Sequence, residues 1–205
     1  MIAIVDYGVG NLGSISNMLR KIDIEAVVTA DPSGIEKAEK LILPGVGAFD
    51  TAMKNIRDLK LLDVLNQKVI ADKTPVIGLC LGMQILTESS EEGKMPGLGW
   101  IKGKTIRSRF EESRNDLKIP HMGWNTVEIK NPSPLVEELD KNSRFYFVHS
   151  YHIDCKDKED VTAVTNYGYD FHSVVKKENI YGIQFHPEKS HKFGMKLLEN
   201  FANRC

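Results

Sequence analysis

The first half of the chain alternates short apolar, β-branched runs with segments of helical periodicity. The predicted strands lie near residues 2–5, 26–29, 40–43 and 76–79. The predicted helices begin near Leu12, Ser33, Ala48, Asp58 and Leu81. Strands that alternate with helices in this way form βαβ units, whose parallel sheet is covered by helices on both faces.

The second half has a different pattern. From residue 100 to 129, and again from 144 to 185, period-two and turn-rich segments predict mixed or antiparallel strands. The pattern of residues 192–201 predicts an amphipathic helix near the end of the sequence. The polar run 109–118 predicts a mobile stretch. We therefore expect an α/β fold with a mostly parallel central sheet flanked by helices and an additional mixed or antiparallel strand region. One domain over residues 1–205 is long enough to bury a core.

Composition excludes several classes of protein. A net charge of −1 gives no bulk attraction to nucleic acid or to an anionic membrane. The first residues lack a basic leader, and no apolar run is long enough to span a bilayer. Three cysteines, without metal-ligand spacing, argue against a disulfide framework or a zinc site. We expect a cytoplasmic protein without nucleic-acid or membrane partners.

The segment Gly78-Leu79-Cys80-Leu81-Gly82 follows the apolar run 75–77 and is typical of a nucleophile elbow. In that geometry a buried strand turns sharply into a helix and exposes the central side chain. The amides at the start of the helix lower a thiol pKa and favour the thiolate. The alternative, for this pentapeptide alone, is a buried cysteine that acts as a small hydrophobic residue.

A candidate base lies more than a hundred residues downstream, at His186-Pro187-Glu188. In extended backbone, His186 and Glu188 project to the same side, and the carboxylate can fix the imidazole tautomer. The loop Pro44-Gly45-Val46-Gly47 ends a predicted strand, and its backbone amides are candidates for an oxyanion hole. Nucleophile, base and amides together favour acyl transfer.

Another pattern points to a different class. Gly8-Val9-Gly10-Asn11-Leu12-Gly13 matches the dinucleotide-binding fingerprint, with Asp31 near the end of the second strand. A nicotinamide-binding module is therefore an alternative. It is weakened by the second half of the chain, which offers no evident residues for hydride transfer.

Taken together and in order, the motifs of this chain resemble those of class I (triad) glutamine amidotransferases over essentially its whole length. They are Asp6-Tyr7-Gly8-Val9-Gly10-Asn11, Pro44-Gly45-Val46-Gly47, Gly78-Leu79-Cys80-Leu81-Gly82-Met83-Gln84, Pro120-His121-Met122-Gly123-Trp124-Asn125, Tyr146-Phe147-Val148-His149-Ser150-Tyr151 and His186-Pro187-Glu188-Lys189-Ser190. The resemblance implies that Cys80 attacks the side-chain amide of glutamine, His186 transfers the proton to ammonia and Glu188 orients the imidazole.

The resemblance also implies roles for residues around this triad. The oxyanion hole would use the amide of Leu81 and one from Gly45, Val46 or Gly47. Glutamine would be recognised by Gln84, Ser150 and Tyr151. The residues that correspond to the family's subunit interface and gate are Asn11, Trp124, Tyr146 and Lys189.

Family members of this kind need no metal or organic cofactor and pass ammonia to a separate acceptor. The resemblance implies a heterodimer with a (β/α)8-barrel synthase subunit in histidine biosynthesis. Paralogues that supply ammonia to sugar amidotransferases in surface-polysaccharide synthesis share these motifs and stay an alternative.

Overall fold

The computed structural model describes residues 1–110 and 117–205, so the predicted mobile stretch 109–118 lies largely outside the described residues. The helices are α1 (Leu12–Lys21), α2 (Pro32–Glu36), α3 (Phe49–Asp58), α4 (Leu62–Asn66), α5 (Leu81–Gln84) and α6 (His191–Arg204). A π-helical turn, Gln67–Ala71, follows α4. Short 3-10 turns lie at Pro134–Val136, Lys158–Asp160 and Pro187–Lys189.

The strands of the first half are β1 (Ile2–Val5), β2 (Ala26–Thr29), β3 (Lys40–Leu43), β4 (Val76–Leu79) and β5 (Ser89–Ser90). Those of the second half are β6 (Gly103–Arg107), β7 (His121–Thr126), β8 (Glu128–Ile129), β9 (Arg144–His149), β10 (Tyr151–Cys155), β11 (Val161–Asn166), β12 (Asp170–Lys177) and β13 (Ile180–Ile183). The bounds of β1 to β4 are those predicted from the sequence.

Within the described residues, eleven strands form one sheet with the main order β2-β1-β3-β4-β13-β12-β10-β6-β5, and β11 and β8 extend it beside β12. The five neighbouring strands β2, β1, β3, β4 and β13 pair in parallel. The pairs of β12 with β13, β10 and β11 are antiparallel. Strands β7 and β9 form a separate antiparallel pair. The predicted α/β fold class, with its parallel centre and antiparallel second half, is confirmed.

Both faces of the inner parallel strands β1, β3, β4 and β13 are buried, and each face has its own core. Along β1, Ala3 and Val5 pack into the cluster that contains Phe49 of α3. The alternate residues Ile2 and Ile4 pack into the cluster that contains Phe201 of α6. Burying such a side chain contributes about 1.5–3 kcal/mol. The continuous apolar runs of these strands follow from this two-sided burial.

One predicted helix start is wrong. Asp58 ends α3 instead of beginning a helix, and the next helix starts at Leu62. The chain turns at Lys60, which has φ +57°, and the N–H of Leu61 returns to the carbonyl of Ile56 at 2.9 Å. A left-handed residue followed by such a bond is a helix C-terminal motif, so the helical pattern restarts after a break.

Candidate active site

Cys80 lies at the turn between β4 and α5. Its backbone has φ +53° and ψ −108°, which costs a non-glycine residue about 1–3 kcal/mol. The turn is held by the Cys80 N–H, which donates to the carbonyl of Ile183 at 2.8 Å. The register of β4 with β13 pairs Leu79 with Ile183, so the chain after β13 runs beside the cysteine.

The elbow touches the end of β3 backbone to backbone. A Cβ at Gly82 would lie 1.8 Å from the carbonyl oxygen of Leu43, and a Cβ at Gly45 would lie 2.6 Å from the Gly82 nitrogen. Only glycine allows the two turns this close approach. The Cys80 turn and the Gly45 loop are therefore fixed against each other.

His186 and Glu188 contact each other directly. The Nδ1 of His186 is 2.8 Å from Oε1 of Glu188, and each side chain is 3% exposed. The predicted extended backbone is correct only for His186, because Pro187–Lys189 forms a 3-10 turn that returns the carboxylate to the ring. The backbone N–H of His186 donates to the carbonyl of Tyr146 at 2.9 Å, which attaches it to β9.

The electrostatics of the ring reflect its two neighbours. Burial opposes protonation of His186, but hydrogen bonding and charge from Cys80 and Glu188 outweigh burial and raise the pKa of the imidazole. Within the described residues, Nε2 of His186 is buried without a hydrogen bond. The Cys80 thiol is therefore close enough to raise the pKa of the ring, although it does not form a well-aligned hydrogen bond with Nε2. Catalytic hydrogen bonds are often long before the substrate binds.

A cavity of about 420 Å³ opens onto Cys80 and His186. The other residues that line it are Val46, Gly47, Leu81, Gln84, Glu92, Pro120, Val148, His149, Ser150 and Tyr151. All three residues predicted to recognise glutamine therefore lie on its wall, as do three of the four predicted oxyanion residues. Gly45 instead packs against Gly82.

Two side chains that the sequence analysis did not select hold the loop of the predicted oxyanion residues. The hydroxyl of Tyr7 donates to the carbonyl of Pro44. Burial and the proximity of Cys80 raise the pKa of Tyr7 well above its ordinary value, so this phenol stays a donor. At the other end, Glu92 accepts the N–H of Phe49 at 2.9 Å, at the start of α3. The motif contained Tyr7, but no local pattern marked Glu92.

Gln184 is a further side chain that the sequence analysis did not select. It is fully buried, and its Nε2 donates to Cys80 Sγ at 3.6 Å. Its Oε1 accepts from Nε2 of Gln84 at 3.2 Å, and the same nitrogen of Gln84 donates to the carbonyl of Tyr151 at 2.8 Å. Hydrogen bonds thus join Cys80 to the part of the cavity wall that contains Gln84 and Tyr151.

Three of the four predicted interface residues form one cluster. The rings of Trp124 and Tyr146 meet edge to face at 6.0 Å, and the Lys189 ammonium lies 5.5 Å from the Tyr146 ring. Trp124 is 46% exposed. Asn11 is exposed at the start of α1, where its side chain makes no capping hydrogen bond.

The glycine loop of the dinucleotide alternative has a packing role. A Cβ at Gly10 would lie 2.9 Å from the Cβ of Pro44, so this loop packs closely against the loop that begins at Pro44. In the described part of the chain, no group of three or more His, Cys, Asp or Glu side chains is placed to hold a metal ion. None of the described helices is long and apolar enough to cross a membrane.

A cysteine elbow, a His-Glu pair and a glycine loop meet around one cavity, an arrangement suited to acyl transfer by a thiol nucleophile. The model of the family "Glutamine amidotransferase class-I" matches residues 3–205. The chain belongs to this family and is a glutamine amidotransferase.

The relatives narrow the identity further. The chain is 57% identical to "Imidazole glycerol phosphate synthase subunit HisH 2" of Methanococcus maripaludis, over 100% of both chains. It is 50% identical to the protein of the same name from Pseudomonas aeruginosa, over 98% of each chain. It is 48% identical to "Imidazole glycerol phosphate synthase subunit HisH" of Leptospira borgpetersenii, over 99% of this chain and 100% of the relative.

Solved structures agree on the fold. A structure described as "Crystal structure of glutamine amidotransferase" superposes with a TM-score of 0.75 at 20% identity, over 98% of this chain and 97% of that one. The comparisons favour neither the nicotinamide-binding nor the surface-polysaccharide alternative.

Proposed function

We propose that this chain is the glutaminase subunit of imidazole glycerol phosphate synthase and supplies ammonia for histidine biosynthesis. One observation carries the proposed chemistry: the strained Cys80 elbow and a His186 paired with Glu188 at 2.8 Å open onto one cavity. The names of relatives at 48–57% identity support the pathway. The whole chain acts as a single domain in the cytoplasm.

The reaction starts with the Cys80 thiol. The Cys80 sulfur attacks the side-chain amide carbon of glutamine, and its proton passes to Nε2 of His186. Glu188 holds the opposite ring nitrogen and stabilises the imidazolium. The C–N bond of the tetrahedral intermediate breaks when His186 gives this proton to the leaving nitrogen. Ammonia departs, and water then hydrolyses the thioester to glutamate.

The oxyanion of the intermediate is held by backbone amides. The N–H of Leu81 is at the first position of α5, where a helix amide has no intrahelical acceptor. Val46 and Gly47 line the cavity from the opposite loop, and Gly47 has φ +110°. One amide of this loop, after a peptide rotation, completes the oxyanion hole with Leu81. Removing one such donor typically slows catalysis about 100-fold or more.

Substrate recognition uses the wall formed by Gln84, Ser150 and Tyr151. Glu92 is the only acidic residue among the described residues that line the cavity. Its carboxylate is a counter-charge for the α-ammonium group of glutamine. The amide end of the substrate then points toward Cys80.

Ammonia is mostly ammonium at neutral pH and must be delivered to its acceptor without release to solvent. The partner is a synthase subunit with a (β/α)8-barrel fold, docked on the cluster of Trp124, Tyr146 and Lys189, and Asn11 is a further residue proposed to contact it. This cluster adjoins the triad, because Tyr146 binds the backbone of His186. A partner that docks on this cluster would therefore contact the protein close to His186, the proposed base.

The test is glutamate release from glutamine by the purified chain, alone and with its synthase subunit and the nucleotide substrate of that subunit. We expect weak activity alone and a rise of orders of magnitude in the mixture. Cys80→Ala should abolish release and still bind the partner. Absence of stimulation, while Cys80 still reacts with a glutamine analogue, would indicate another ammonia acceptor and refute the histidine assignment.

A further inference from the structure

Two buried histidines that the proposed chemistry does not use lie at the cavity, where His149 lines the wall and His121 lies against His149. His121 of β7 and His149 of β9 are paired in register, and they are 3% and 6% exposed. Nδ1 of His121 is 3.1 Å from Nε2 of His149. The His121 ring is stacked between Phe147 at 4.8 Å and Tyr167 at 3.9 Å, so it is held in one orientation.

The far end of this pair fixes the direction of its hydrogen bonds. The side-chain oxygen of Asn125 accepts the N–H of Thr126 at 2.8 Å, and its Nδ2 donates to the carbonyl of Asn166 at 2.9 Å. These partners leave one orientation for the amide. Its Nδ2 also lies 3.4 Å from Nε2 of His121, so that ring nitrogen is an acceptor.

The hydrogen bond between His149 and Tyr151, at the other end of the pair, indicates the same donor-to-acceptor direction. Nδ1 of His149 is 2.9 Å from the carbonyl oxygen of Tyr151, which can only accept, so this nitrogen carries a proton. A neutral imidazole carries one proton. His149 therefore accepts at Nε2, and His121 donates to it from Nδ1. The chain of bonds runs from Asn125 through His121 and His149 to Tyr151.

Burial keeps both rings neutral. It lowers the pKa of His121 to about 4. Burial, with the neighbouring His121, lowers the pKa of His149 to about 3. A proton added to either ring would place a donor opposite another donor, so geometry and burial favour the same state.

The carbonyl of Tyr151 joins this chain of bonds to the glutamine site, because it also accepts from Gln84. We propose that His121 and His149, both as Nδ1–H tautomers, are positioning residues that hold the Tyr151 carbonyl and, through it, Gln84 for glutamine recognition. This inference rests on the proposed function, since it concerns the same cavity. The role assigned to the two histidines acts through the Tyr151 carbonyl and not through contact with the substrate.

The first test is nitrogen NMR of the chain labelled with ¹⁵N-histidine at neutral pH. The two rings are expected to show protonated Nδ1 and unprotonated Nε2. Signals are assigned by His121→Phe and His149→Phe. An Nε2–H tautomer or a charged imidazolium at either position would overturn the proposal. This measurement does not depend on glutaminase activity, so it stands even if the proposed function fails.

The second test is a matched pair of variants in the complex with the synthase subunit. In His149→Asn the amide nitrogen takes the place of Nδ1 and still donates to Tyr151. In His149→Gln the side chain reaches toward His121 and loses that donor. The KM for glutamine should rise about tenfold in His149→Gln and about threefold or less in His149→Asn, while kcat changes little in both.

Three results would contradict this role. The two variants could have equal KM values, the loss could fall on kcat, or His149→Gln could match the unsubstituted chain. Alkylation of Cys80 by iodoacetamide serves as the control, because this small reagent does not use the recognition wall. If the unsubstituted complex releases no glutamate, the proposed function fails, and the NMR result is read separately.

Discussion

For the replacement of Gly82 by alanine, helix propensity and the structure predict opposite changes in the free energy of unfolding. Gly82 lies inside α5, where propensity alone favours alanine by about 1 kcal/mol. The new Cβ would however lie 1.8 Å from the carbonyl oxygen of Leu43, although Cβ atoms essentially never approach closer than 3.0 Å. The elbow and the end of β3 must separate by about 1 Å.

The size of the stability loss depends on the group that the new Cβ would meet, which is the backbone carbonyl of Leu43. Overpacking typically costs about 1–3 kcal/mol, and a backbone carbonyl cannot rotate away as a flexible side chain can. The upper end of that range exceeds the propensity gain, so we expect Gly82→Ala to lose about 2 kcal/mol of unfolding free energy. The elbow also moves away from Gly45, so the folded variant should react at least about tenfold more slowly with an electrophilic glutamine analogue.

Gly13→Ala is the matched control. Gly13 lies in α1, and a Cβ there meets nothing within 4 Å. This variant should gain about 0.5–1 kcal/mol. Urea unfolding measures the stabilities, and mass spectrometry follows the labelling of Cys80. If Gly82→Ala were as stable and as reactive as Gly13→Ala, the backbone contact between elbow and loop would be refuted.

Three further predictions concern the charged and titratable groups. Glu188→Gln removes the charge that helps to raise the pKa of His186, and glutamate release should fall about 100-fold or more at unchanged fold, measured by steady-state assay and circular dichroism. An electrophilic glutamine analogue should label Cys80 alone, because burial raises the pKa of Cys155 to about 12 and also raises that of Cys205; peptide mapping that finds either of them modified would contradict this. Acid should destabilise the fold, because the folded-state pKa values of His121 and His149, about 4 and 3, lie below the ordinary 6.5 and the unfolded chain binds more protons between these values. At pH 5 each ring contributes roughly 2 kcal/mol to this loss, and urea unfolding of His149→Phe should show a weaker dependence between pH 7 and 5.

The parallel core was predictable because its strands carry their own signal. Strands buried on both faces are continuous apolar runs, and β1 and β3 are of this kind. The elbow at Cys80 was also predictable, since its two glycines and the preceding strand lie within eight residues. The break after Asp58 was not, because the left-handed Lys60 has no sequence mark such as glycine.

The polar residues around the nucleophile were harder to predict, because their partners are distant in sequence. Gln184 contacts Cys80 across 104 residues, and Gln84 contacts Tyr151 across 67. A buried glutamine in an apolar strand has no periodicity that separates a structural from a functional role. Pairing β4 with β13 is what brings Gln184 to the thiol, and that pairing is a property of the whole sheet.

The site divides along the two kinds of strand in the fold. Cys80, His186 and the Gly45 loop follow β4, β13 and β3, whose carboxyl ends meet at one edge of the parallel sheet. Ser150 and Tyr151, which are proposed to recognise glutamine, lie where β9 ends and β10 begins, and each of these strands pairs antiparallel with another neighbour. Gln84 and Gln184 join the two parts by hydrogen bonds. The hydrogen bonds proposed to hold the Tyr151 carbonyl come from β7 and β9, through His121 and His149. We therefore expect a partner that contacts Trp124 on β7 to shift glutamine recognition without displacing β4, the buried strand that precedes Cys80.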